Sequence, residues 1–117
     1  MQTYDVIVAG GGVAGLTAGL FSARLGRSTL VLVSLMPGGH LGTINQIEDF
    51  PGFPQGVPGY DLGPMIQEQA MTAGAEFQMS ELMSVTPAAG GWQVTTGEGE
   101  VFARALIVAT EIGRAHV

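Results

Sequence analysis

The sequence predicts an α/β domain with a parallel sheet, and three features of its first third predict this. Tyr4–Ala9 is a short apolar run rich in valine and isoleucine, which is typical of a strand buried on both faces. Val13–Leu25 then carries apolar residues at helical spacing and ends before Gly26. Ser28–Val33 is a second buried run, so the three segments together predict a βαβ unit.

The later segments complete the sheet and add a small antiparallel layer. Tyr60–Gly74 has helical periodicity, Ala75–Met79 predicts a third strand, and Ala105–Ala109 predicts a strand that returns to the parallel sheet. Short segments between them, separated by glycines, predict an antiparallel meander: Glu81–Pro87, Trp92–Thr96 and Glu100–Ala103. We expect helices on one face of the parallel sheet and the meander on the other.

Composition limits the classes of function that the chain can have. A net charge of −6 with no lysine disfavours binding to nucleic acid or to an anionic membrane surface. The absence of cysteine excludes disulfides and thiolate sites within this stretch. His40 and His116 are far apart in the sequence, so no metal site is expected. The first residues lack a basic region and Val6–Ala9 is too short for a signal peptide or membrane span, so the expected location is the cytoplasm.

A glycine-rich turn lies between the first strand and the first helix. Gly10, Gly12 and Gly15 have the spacing of a dinucleotide-binding turn: the first allows the sharp turn, the second leaves space for a pyrophosphate, and the third lets the helix pack on the strand. Val13 and Ala14 begin the helix, and their N–H groups are expected to bind phosphate. No Gly-Lys-Ser/Thr follows, which excludes a Walker-A loop.

The end of the second strand lacks the usual ribose-binding group. In NAD and FAD sites an acidic residue at this position holds the adenosine ribose. This chain has Val33, Ser34 and Leu35 there and no carboxylate. Two interpretations stay open: Ser34 donates a weaker hydrogen bond to the ribose, or the ribose site is simply less polar.

The long loop after the second strand resembles a family. Pro37–Leu41 (Pro-Gly-Gly-His-Leu) and Ile47–Phe53 (Ile-Glu-Asp-Phe-Pro-Gly-Phe) resemble the loop beneath the flavin in the thioredoxin reductase family, and so does the Gly59–Gly74 helix. The resemblance is collinear from Tyr4 to Thr110. It implies a truncated, Rossmann-like FAD-binding domain of α/β class.

The resemblance also implies a function and partners for the full-length protein. Electrons would pass from NADPH or NADH through FAD to a disulfide acceptor, such as a thioredoxin-like protein, or to another acceptor. A homodimeric full-length protein is a further expectation. No residue of this chain is identified as a catalytic acid, base or nucleophile.

Family positions that contact FAD can be carried over residue by residue. They are Gly38, Gly39, His40, Asn45, Asp49, Val85, Ala109 and Thr110. Two of them depart from the family. His40 replaces the usual Gln and could tune the flavin potential by its charge or act as a neutral substitute. Asp49 replaces the usual Asn beside the ring and could disfavour an anionic reduced flavin, or point to solvent or cap the turn before Pro51.

The last seven residues depart from the family's Ala-Thr-Gly. Glu111–Val117 resembles the translation of a common sequencing-library adapter, so we expect residues 1–110 to be the N-terminal part of a FAD-binding domain and 111–117 an artefact.

Three alternatives to the thioredoxin reductase type stay open. The first is a ferredoxin–NADP reductase-type flavoenzyme without a redox cysteine pair. The second is a partial, non-catalytic nucleotide-binding fragment, and the chain alone is expected to be inactive and to bind FAD weakly or not at all. The third is a plain NAD(P)-binding domain, against which the Pro37–Phe53 loop argues.

Overall fold

A computed structural model describes residues 1–34, 46–48 and 50–110. Its elements, in chain order, are β1 (Gln2–Ala9), α1 (Val13–Arg24), β2 (Thr29–Leu32), α2 (Gly59–Thr72), β3 (Glu76–Gln78), β4 (Leu82–Ala88), β5 (Gly91–Thr96) and β6 (Gly99–Val108). The strands form one sheet in the order β3-β2-β1-β6-β5-β4. The first four strands of that order (β3, β2, β1 and β6) run parallel to one another. The last two, β5 and β4, continue the sheet as antiparallel strands.

The predicted elements are present, with two differences. The segments Glu100–Ala103 and Ala105–Ala109, which the sequence predicted as separate strands, are one continuous strand, β6. The second helix, predicted as Tyr60–Gly74, is α2 (Gly59–Thr72), with Pro58 as its N-cap and Pro64 inside it. The single strand β6 arises because its pairing with β1 continues on both sides of Arg104, from Ala103 to Ala105.

α1 packs closely on one face of the parallel strands. Its buried residues are Gly15, Leu16, Gly19, Leu20 and Ala23. A Cβ atom at Gly19 would lie 2.6 Å from Cγ2 of Val31 on β2, so only glycine lets the helix approach this far. Val31 packs with Val8, Val33 and Ala18 in the layer between the sheet and α1.

The meander folds back over the opposite face of the sheet. Four strand spacings of about 4.8 Å separate β3 from β5 in the strand order, which would be ~19 Å in a flat sheet. Nevertheless the amide of Gln78 on β3 donates a 3.0 Å hydrogen bond to the hydroxyl of Thr96 on β5. Val94 of β5 also belongs to the same buried cluster as Leu30 and Leu32 of β2. The prediction of helices on one face and the meander on the other is therefore confirmed.

A side-chain hydrogen bond joins two strands that are not neighbours. Tyr4 of β1 is buried, and its hydroxyl donates a 3.0 Å hydrogen bond to the carboxylate of Glu76 on β3. Burial, together with the Glu76 carboxylate, raises the pKa of Tyr4 to about 12. This bond links the two strands that flank β2.

Trp92, the one tryptophan of the chain, lies in the meander. It pairs with Pro87 of β4 and Ala103 of β6, and it is partly exposed.

Neither helix in the described ranges is long and apolar enough to cross a bilayer.

Candidate dinucleotide-binding site

The turn after β1 has a backbone that only glycine can adopt. Gly10 has a φ of +130°, and its N–H donates a 3.0 Å hydrogen bond to the carbonyl oxygen of Leu32 at the end of β2. A Cβ atom there would lie 2.6 Å from the carbonyl carbon of Ala109. The turn therefore passes directly against the backbone that follows β6.

Two more glycines near this turn make close contacts. A Cβ atom at Gly15 would collide with the carbonyl oxygen of Gly10, so the first turn of the helix packs on the glycine turn itself. Gly11, which sequence reasoning did not single out, packs against the side chain of Val33. Gly19, four residues after Gly15, makes a further close contact between α1 and the sheet, against Val31 of β2.

The N-terminus of α1 has N–H groups without intrahelical partners. Gly12 is the N-cap, no side chain caps the helix, and the first helical bond runs from the N–H of Leu16 to the carbonyl of Gly12 at 2.9 Å. The N–H groups of Val13, Ala14 and Gly15 precede this bond and are therefore available to an anion. The first turn contains no acidic residue that would oppose a phosphate.

A cavity of about 230 Å³ lies beside the glycine turn, at the carboxyl ends of the parallel strands. Its lining residues are Ala9, Gly10, Leu32, Ser34, Ser80, Glu81, Leu82 and Thr110. The structure thus brings three sequence-predicted positions together at this cavity: Gly10, Ser34 and Thr110. A crevice at this edge of a parallel sheet is where open α/β folds bind ligands.

A second cavity of about 330 Å³ continues from the first. The two share Ser34, Ser80 and Glu81, and the second adds Met79, Met83, Gly97 and Glu98. Sequence reasoning missed these residues, although Met79 is the last residue of the predicted third strand and Ser80 directly follows it. The end of that strand must lie at the same sheet edge as the ends of β1 and β2, and this rule could have identified them.

The remaining sequence-predicted positions lie elsewhere. Val85 is in the interior of β4, paired with Val94, and it lines neither cavity, whereas Leu82 at the start of β4 does. Ala109 lies against Gly10 and donates a 2.8 Å hydrogen bond to the carbonyl of Ala9. Five predicted positions, Gly38, Gly39, His40, Asn45 and Asp49, lie outside the described residues.

The titratable groups with shifted pKa values lie away from the cavities. Asp5 accepts a 3.0 Å hydrogen bond from the backbone N–H of Ser28, which holds the pKa of this carboxyl below its usual value, and the nearby Arg104 acts in the same direction. Tyr4 is the second such group. Both are in the amino-terminal half of β1, whereas the cavities are at its carboxyl end. In the part of the chain that the structure describes, no cluster of residues could hold a metal ion.

The described residues fit a dinucleotide such as FAD. The free N–H groups of α1 suit a pyrophosphate, and the turn at Gly10 leaves no side chain between the backbone and that group. The two cavities extend from the turn along the strand ends, which suits the adenosine half of the molecule. When bound, the flavin would supply the redox chemistry, and these residues would bind and orient its nucleotide part.

Comparison with known proteins supports this assignment. A family model described as a FAD binding domain matches residues 5–43. The thioredoxin reductase of Aquifex aeolicus is 38% identical over 110 residues, which cover 93% of this chain and 34% of that protein. The bifunctional thioredoxin reductase/thioredoxin of Mycobacterium leprae is 39% identical over 107 residues, or 91% of this chain and 23% of that protein.

The fold matches as well. The structure of a thioredoxin reductase from Gloeobacter violaceus superposes with a TM-score of 0.87 and 30% identity, covering 93% of this chain and 34% of that one. The chain therefore spans about a third of the length of the Aquifex aeolicus and Gloeobacter violaceus proteins. The resemblance and the FAD-binding, Rossmann-like fold predicted from the sequence are confirmed.

Proposed function

We propose, from the premise that this chain has the FAD-binding fold of the thioredoxin reductases, that it forms the nucleotide-holding part of a flavin-dependent NADPH oxidoreductase. The full-length protein passes electrons from NADPH through FAD to a disulfide, with a thioredoxin-like protein as its acceptor. We further propose that it acts in the cytoplasm and that it forms a homodimer.

One observation carries this proposal. The turn at Gly10 is held between the end of β2 and the backbone of Ala109, directly beneath the free N–H groups of α1. This arrangement favours a pyrophosphate bound by backbone groups alone, which suits a chain with no lysine. Residues 1–110 then act by binding the adenosine and pyrophosphate and by excluding water from them, and not by moving protons.

The test uses the full-length protein expressed from its gene. We expect it to purify with a visible flavin spectrum, and the released cofactor to be FAD and not FMN. Stopped-flow mixing should show faster flavin reduction by NADPH than by NADH, and a thioredoxin disulfide should reoxidise the flavin. A colourless protein that binds NAD in preference to FAD would support the plain NAD(P)-binding alternative instead.

The electron acceptor distinguishes the ferredoxin–NADP reductase alternative from the proposed function. A full-length protein that is reduced by NADPH but reoxidised only by a ferredoxin, with no Cys-x-x-Cys in its sequence, would belong to that type. The relatives named above are thioredoxin reductases, and this favours the disulfide acceptor.

For the 117-residue chain alone we expect weak or no FAD binding and no activity, as in the fragment alternative, because it spans a third of its relatives. An FAD titration of the isolated chain that leaves flavin fluorescence unchanged would agree with this expectation. Tight binding would contradict it.

The origin of residues 111–117 is a separate proposal. We infer that they come from a sequencing adapter, and that in the native sequence a glycine follows Thr110. Resequencing the locus checks this inference, which fails if the seven codons are present in genomic DNA.

A further inference from the structure

Ser80 has a buried hydroxyl without a hydrogen-bond partner in the described part of the chain. The residue is 8% exposed, and its Oγ is shielded from water. A buried polar group without a partner is destabilising, so native proteins rarely retain one without a reason. The backbone of Ser80 is satisfied separately, because its N–H donates a 3.0 Å hydrogen bond to the carbonyl of Gln78.

The position of Ser80 suggests what the missing partner is. Ser80 follows β3 and lines both cavities, together with Ser34 beyond the end of β2. In dinucleotide-binding folds the ribose of the adenosine lies at the end of the second strand, where a carboxylate usually receives its hydroxyl groups. Ser34 follows the end of β2 here and no carboxylate is adjacent to it in the sequence, so β2 itself supplies only a hydroxyl. The other polar side chains that line both cavities are those of Ser80 and Glu81.

The surroundings of Ser80 leave its hydroxyl room to turn. A Cβ atom at Gly97 would lie 3.2 Å from Oγ of Ser80, so the absence of a side chain at Gly97 keeps this space open. A serine side chain changes direction by rotation about χ1 alone, between three staggered positions. Met79 and Met83, both largely exposed, line the same cavity and offer apolar surface to a flat base.

We propose that Ser80 is an adenosine-anchoring residue of this chain, whose hydroxyl hydrogen-bonds the adenosine half of the bound dinucleotide in place of the carboxylate that the second strand lacks. This bond gives the buried hydroxyl the partner that it lacks among the described residues. This inference rests on the proposed function, since it concerns the same FAD site.

The test is Ser80→Ala in the full-length protein, freed of its flavin. The matched control is Ser84→Ala, which removes the same hydroxyl from an exposed position on β4 outside both cavities. Because Oγ of Ser80 has no hydrogen-bond partner among the described residues, Ser80→Ala should leave the thermal midpoint of the flavin-free protein unchanged or higher. Calorimetric titration should show FAD and ADP each binding about three- to tenfold more weakly. The control should change neither quantity.

The outcomes separate this inference from the proposed function. If the unaltered protein binds FAD and ADP but Ser80→Ala binds both with the same affinity, Ser80 does not anchor adenosine and the proposed function stands. A lower midpoint of the flavin-free Ser80→Ala protein would show a structural role and overturn the inference. If the unaltered protein binds neither FAD nor ADP, the proposed function itself fails.

Discussion

At the scale of single residues, Gly10 meets two demands that no other residue meets together. Its φ of +130° lies in a region that L-residues with a side chain avoid, and its missing side chain leaves space for the backbone at Ala109. Gly26, just beyond α1, has a φ of +82° but faces open space. Comparing Gly10 with Gly26 therefore separates the free-energy cost of backbone strain from the cost of a steric collision.

We expect Gly10→Ala to lower the free energy of unfolding by more than about 3 kcal/mol, because strain and collision add. Gly26→Ala should cost about 1–2 kcal/mol, since only strain applies. Urea unfolding followed by circular dichroism measures both variants. Equal losses would show that the contact with Ala109 contributes nothing.

Sequence reasoning identified the positions of the glycine turn because their requirement is local. Gly10, Gly12 and Gly15 are read from spacing within one turn and one helix start. Ser80 and Leu82 could not be read in this way, because they reach the cavity only through the order of strands in the sheet. A pattern within a few residues contains no information about which strand ends become neighbours.

At the scale of elements, the bond between Tyr4 and Glu76 joins β1 to β3 across the end of β2. Because folding raises the pKa of Tyr4 from 10.0 to about 12, the folded chain keeps this proton at pH values where the unfolded chain loses it. The stabilisation is therefore complete below pH 10 and is lost as the pH rises toward about 12.

Tyr4→Phe should lower the free energy of unfolding by about 1 kcal/mol at neutral pH, through the loss of one hydrogen bond. It should also remove the part of the alkaline stability loss between pH 10 and about 12 that is due to this residue. Denaturant unfolding at a series of alkaline pH values tests this prediction, with the exposed Tyr60 of α2 as the control in Tyr60→Phe. An alkaline profile identical to that of the unaltered chain would refute the role assigned to Tyr4.

β6 shows why element boundaries were harder to predict than the elements themselves. The sequence prediction ended one strand at Ala103 and began another at Ala105, on either side of the charged Arg104. In the structure Arg104 is exposed and lies 3.8 Å from the carboxylate of Asp5, so the strand continues through it. An outward-facing position in a half-buried strand accepts a charge, and only the fold reveals which positions face outward.

At the scale of the whole molecule, the meander and the parallel strands share one hydrophobic core. Val94 of the meander is fully buried with Leu30 and Leu32 of β2. Its partner in the β4–β5 pairing, Val85, is only half-buried. The same chemical change at these two paired positions therefore tests whether the meander is part of the core of the parallel sheet.

Val94→Ala should lower the free energy of unfolding by about 2–3 kcal/mol, through lost burial and the cavity that remains. Val85→Ala should cost less than about 1 kcal/mol, because less apolar surface leaves water. Chemical denaturation of both variants measures the difference. If the two losses were equal, the meander would not share the core of the parallel strands.

The position of Trp92 provides the molecule with two separate optical reporters. The single indole of the chain lies on β5 in the meander. Both helices of the described ranges, α1 and α2, precede the meander in the sequence. Tryptophan emission therefore follows one layer, while helical ellipticity follows the other. Coincident melting curves from the two probes would show that the layers unfold as one cooperative unit, and separated curves would show that the meander detaches first or last.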